Sequence, residues 1–150
     1  MTAPCQVCGV PADAHVFDRS WVGAPPERPG EEVVLVRFEL HRNYCGQLLY
    51  FAQYTDRYAA DPRQVRTDGY QWVIRNPAGL PLLAVDHIVN PWGMSGFPLD
   101  VRLEEGASLE FVLRNVGAPV GGPGRLGLVG GRLVGRSWYN AMYGGAPNRL

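Results

Sequence analysis

In the stretch LDVRLEEGASLEFVLRN, Leu99, Val101 and Leu103 alternate with Asp100, Arg102 and Glu104. After the turn residues EGAS, Leu109, Phe111 and Leu113 alternate with Glu110, Val112 and Arg114. Period-two spacing gathers the apolar side chains on one face of an extended chain, whereas a helix would scatter them around its circumference. Two strands, each with one wet face, are predicted here. They either pair across the turn as a hairpin or part at a corner between two sheets.

The same signal recurs along the chain. EEVVLVRFELH sets Val34, Val36, Phe38 and Leu40 on one face and Leu35, Arg37, Glu39 and His41 on the other. GQLLYFAQY and YQWVIRN read as further strands, joined by a polar connection in which residues 58–61 have room for one helical turn before Pro62. RNPAGLPLLAVDHIV reads as strand, turn, strand, and GRLVGRSWYN as a closing strand with Val134 and Trp138 on the same side. No stretch of useful length has helical periodicity. With 150 residues, 46% of them apolar, one main domain is expected. The prediction is an all-β fold, an antiparallel two-sheet β-sandwich of jelly-roll type. Residues 1–30, rich in Pro and Gly, are expected to be an extended N-terminal arm, residues 31–143 the sandwich, and residues 144–150 a C-terminal tail.

Charge narrows the function. Fourteen basic and fourteen acidic side chains balance to zero, so no net field draws the protein to nucleic acid or an anionic membrane. Every basic residue is Arg, which removes the lysine of a phosphate loop and of Schiff-base chemistry. The glycine runs VGGPG and VGGR lack phosphate-loop spacing and read as turns. No run approaches the ~20 apolar residues of a membrane span, and the start MTAPCQVCG has no secretory pattern, so synthesis in a cytoplasm is expected.

Chemistry-bearing residues are few. Cys5 and Cys8, followed by Gly9, have the form of a zinc knuckle, whose remaining ligands would come from His15, Asp13, Asp18 or the distant His41 and Cys45. Only half a site is present, so zinc, a redox pair and two ordinary thiols all stay open. Three cysteines cannot all pair within one chain, and no disulfide framework is indicated. Cys45 reads as a small strand residue. His15, His41 and His87 are scattered and lack the H-x-H pattern of a cupin metal site, and no serine has a nucleophile context. No catalytic residue is assigned and no enzyme is expected. Trp72, Trp92, Tyr50, Tyr54, Tyr58 and Tyr70 would suit a sugar-stacking platform or, equally, a core. Phe17 and Trp21 are the anchors of the arm, docking on its own domain or on a neighbouring subunit. Trp92, between Pro91 and Gly93, is a further candidate contact.

From about Val33 to Tyr139, the order of VVLVRFEL, WVIRNPAGLPL, FPLDVRLEEGASLEFVLRN and GRLVGRSWYN resembles small β-sandwich structural proteins of tailed-bacteriophage particles. The resemblance implies a virion component assembled in the host cytoplasm, a capsid decoration (cement) or head-neck protein. Its partners would be other protein subunits, and it would form a homo-oligomer within a larger assembly. The alternatives are a lectin-like carbohydrate-binding module and a small metal-binding enzyme.

Overall fold

The computed structural model describes residue 5 and residues 9–55, 69–85, 97–117 and 127–140. Eight strands follow one another: β1 (His15–Gly23), β2 (Glu32–Glu39), β3 (Tyr44–Thr55), β4 (Tyr70–Arg75), β5 (Pro81–Val85), β6 (Phe97–Leu103), β7 (Ser108–Asn115) and β8 (Val129–Tyr139). They form two four-stranded antiparallel sheets, ordered β1-β8-β3-β6 and β2-β7-β4-β5. Successive strands mostly alternate between sheets, which is the double Greek key of a jelly roll. The expected fold is present.

The inner faces of the two sheets meet in one core of Phe17, Leu35, Phe38, Leu48, Phe51, Trp72, Ile74, Phe111, Leu113 and Leu133 with their neighbours. The β6 and β7 alternation is seen as read, with Leu99, Val101, Leu103, Leu109, Phe111 and Leu113 all turned inward. Of the two arrangements open to this pair, the corner is the one found: β6 lies in one sheet and β7 in the other. The chain turns at Gly106, whose φ of 72° favours glycine, and Ala107 N–H donates to the Glu104 carbonyl.

β2 departs from the simple pattern. A bulge between Val34 and Val36 lets Leu35 and Val36 both be buried, so Leu35 joins the core instead of the wet face. β8 is a central strand, and its inward positions Gly131 and Gly135 are small for a reason. A Cβ on Gly131 would lie 2.6 Å from the Phe111 ring, and one on Gly135 would collide with the Phe17 ring and the Gln47 carbonyl. The β8 glycines thus make room for aromatic rings, Phe17 from the adjacent strand β1 and Phe111 from the facing sheet. Val134 and Trp138 share the outer face of β8, as expected.

The sandwich begins earlier than the composition suggests. Residues 15–23, expected in the arm, pair along their whole length with β8, and Phe17 stacks on Phe38 at 4.0 Å between ring centres. The Pro- and Gly-rich composition marks the connections on either side of this strand, while His15–Gly23 itself is free of proline. Of the expected arm, residue 5, residues 9–14 and residues 24–30 are described outside the strands, and Cys5, Gly9 and Ala14 lie against the outer face of the β1 sheet.

The outer face of the β2 sheet carries a lattice of ions. Glu110 on β7 pairs with Arg37 at 3.0 Å and Arg75 at 3.1 Å, and Glu32 pairs with Arg75 at 2.8 Å and Arg114 at 2.9 Å. By register, the Arg75–Glu32 pair crosses above β7 at Val112, which is fully buried beside Val73. Long arginine stems shelter this valine row.

Candidate functional site

Three features of the surface stand out, and the first is a clasp at one end of the β1 sheet. Cys5 is joined to Cys45 of β3 by a disulfide, with Cα atoms 6.0 Å apart. Cys45 and its register partner Trp138 are fully buried on the outer face of the sheet, together with Ala14. They form a small second core, with Cys5 packed against it. The Arg102 guanidinium lies 4.7 Å from the Trp138 ring centre and donates to the Gly9 carbonyl at 2.7 Å. Arg136 donates to the Ala14 carbonyl at 3.2 Å, and the Cys5 amide donates to Glu104 at 3.3 Å. Residue 5 and residues 9–14, which belong to no strand, are thus held down by guanidinium groups at their backbone and by one covalent bond.

The second is a cleft of about 300 Å³ at the open side of the sandwich, where β1 and β2 face each other. Phe17, Phe38 and Leu40 form its apolar floor, and His15, Arg19, Glu39, His41, Tyr44 and Ser137 its rim. His15 and Arg19 flank Phe17 at two-residue spacing, so all three project from the same face of β1. The His41 and Tyr44 rings meet edge to face at 6.0 Å across a turn in which Asn43 adopts a left-handed φ of 69°. Charges of both signs above stacked phenyl rings suit a small amphiphilic group.

The third is an edge. Four strands border the sheets, and three of them carry charge: Asp18 and Arg19 on β1, Glu32, Arg37 and Glu39 on β2, Asp100 and Arg102 on β6. β5, Pro81–Val85, carries none. Its outward positions are apolar, with Leu80 at its start 62% exposed and Leu82 44% exposed, and Ala84 is exposed too. Among the described residues no strand pairs with its far side. Charges on an edge strand discourage pairing with another chain, and an uncharged apolar edge permits it.

The structure separates the residues that the sequence grouped as a metal site. The Cys5 sulfur is bonded to Cys45 and is no thiolate ligand, so the expectation of no disulfide is corrected. The pairing partner is 40 residues away and becomes visible only once the chain has folded over the sheet. His15 lines the cleft rim, and Cys8 lies outside the described residues. Among the described residues no three His, Cys, Asp or Glu side chains converge to hold a metal ion.

The expected contact residues part similarly. Phe17 is 6% exposed and belongs to the molecule's own core, and Trp21 packs against that core, so the arm's anchors dock on their own domain. Trp92 and His87 lie outside the described residues. Of the aromatic platform, Trp72 and Tyr70 are fully buried, Tyr50 and Tyr54 are half-buried on β3, and Tyr58 lies outside the described residues. The β5 edge went unremarked in the sequence. Its signal was there, however, in LPLLAV: a charge-free run directly after a turn.

Asp18 on β1 is held below the ordinary carboxylate range by its hydrogen bonds to Arg132, which outweigh the opposing effect of burial. Burial pushes Glu110 upward, but hydrogen bonds from Arg75 and Arg37 more than offset it, and its carboxyl too ends below the ordinary range. Both groups belong to ion pairs that brace the sheets. In comparison with known proteins, the chain matches no family model and no curated protein sequence.

Proposed function

We propose that this protein is a non-enzymatic structural module that works by protein–protein assembly, as a decoration or head-neck component of a tailed-phage-type particle. One observation carries the reading: among the described residues, β5 is the one of four border strands without a charged side chain, and it carries exposed Leu80 and Leu82. Strand addition at such an edge joins main-chain hydrogen bonds to the burial of alternate side chains. Burying two leucine side chains contributes roughly 1.5–3 kcal/mol each relative to full exposure, less here because both are already partly covered. The jelly roll is a recurrent architecture of viral capsid domains, and lectins and cupins use it as well, so the fold agrees with the proposal without singling it out.

The test is native mass measurement across a concentration series for the unmodified chain and for Leu82→Arg. Self-association of the first and a monomer for the second supports the proposal. A monomer at every concentration that also fails to attach to any protein shell of its source contradicts it.

A further inference from the structure

We propose that the Cys5–Cys45 disulfide is a thiol-exchange site that latches the N-terminal segment over Trp138, and that a small thiol of the glutathione class opens it. Two kinds of bond hold the segment. One is the disulfide; the other is non-covalent, and includes single hydrogen bonds from Arg102 to Gly9, from Arg136 to Ala14 and from the Cys5 amide to Glu104, in partly or fully exposed positions, and the packing of Cys5 and Ala14 beside Trp138. Exposed hydrogen bonds of this sort are readily replaced by water. The covalent bond is the one contact in this set that a thiol can break, and its loss leaves the start of the segment to weak contacts alone.

The two sulfurs differ in access. Cys45 is fully buried against Trp138, whereas Cys5 is only partly covered. An incoming thiolate attacks the Cys5 sulfur. The S–S bond breaks, a mixed disulfide forms on Cys5, and Cys45 leaves as a thiolate that takes up a proton. A second small thiol then attacks the sulfur of the first. This frees Cys5 as a thiol and releases the oxidised small-molecule disulfide, so two electrons pass from two thiols to one protein disulfide. Opening uncovers Trp138 and Cys45 on the outer face, while the inner core of the two sheets contains neither residue. The latch is thus separable from the sandwich. The sequence supplies a third sulfur, Cys8, two residues beyond Cys5, and removing it makes the thiol count unambiguous.

The experiment uses the full chain carrying Cys8→Ser. Air-oxidised protein is mapped for linked peptides, and amide hydrogen exchange is then followed with and without reduced glutathione. The expected result is a Cys5–Cys45 cross-link and exchange at least tenfold faster across residues 9–14 after reduction, with β3 and β8 unchanged. Cys5→Ser/Cys8→Ser should exchange like the reduced protein and ignore glutathione. Two free thiols after oxidation, unchanged exchange in the segment, or equal loosening of β3 and β8 would each overturn the proposal.

Discussion

At Glu110 a single carboxylate holds Arg37 and Arg75 together, and through Arg75 it reaches Glu32 and Arg114. Its folded pKa lies below its unfolded value near 4.3, so the unfolded chain takes up the proton first as pH falls. The stabilisation is complete above that value and is lost as pH drops through the folded one; Asp18 behaves alike. Glu110→Gln is expected to cost about 2 kcal/mol at pH 7, the worth of charge-assisted hydrogen bonds, and to flatten the acid limb of stability. Thermal unfolding between pH 2 and 7 checks both. The glycines of β8 make a second residue-scale case. Gly135→Val forces a side chain into the Phe17 ring and the Gln47 carbonyl, and a loss of roughly 3 kcal/mol or failure to fold is expected in denaturant titrations. The alternation of β6 and β7 was readable residue by residue because each position has a single partner face. Leu35 was not, because a bulge inserts one residue, and the period-two count after it no longer applies to the positions before it.

Among the strands, the sequence distinguished extended segments from turns but not which segment borders which. β1 has only Phe17 and Trp21 as core-facing apolar residues, with His15 and Arg19 between and beside them, so its pattern was too sparse to read as a strand. What makes it one is the long edge of β8, which pairs it from His15 to Gly23. Tertiary pairing here outweighs weak local preference. The β4–β5 hairpin, by contrast, was legible as far as Val85, and the rest of the segment read as strand, to Val89, lies outside the described residues. Asn76 and Gly79 close its turn, with Gly79 at a φ of 86°, and the Asn76 side chain accepts from Leu80 N–H at 2.9 Å. Gly79→Val, strained at that φ, should destabilise by about 1–2 kcal/mol and loosen β5 first, which hydrogen exchange of the hairpin would detect.

For the whole molecule, the sandwich follows from composition and periodicity together: enough apolar residues for one core, strands with one apolar face that a single sheet would leave uncovered, and turns dense enough to pass from sheet to sheet. The clasp was not legible, and of the edge only the charge-free run LPLLAV was, because both are relations between distant segments. Cys5 meets Cys45 only when the segment crosses the sheet, and β5 becomes a border only when the order of strands is known. The proposed function rests on these relations, with the core as their frame.

The most direct measurement of the assembly claim is sedimentation of the unmodified chain beside Leu82→Arg and a surface control, Ser20→Arg on the charged β1 edge. Concentration-dependent association that Leu82→Arg abolishes and Ser20→Arg leaves intact is the predicted result. Equal association in all three, or none in any, would contradict an assembly edge at β5.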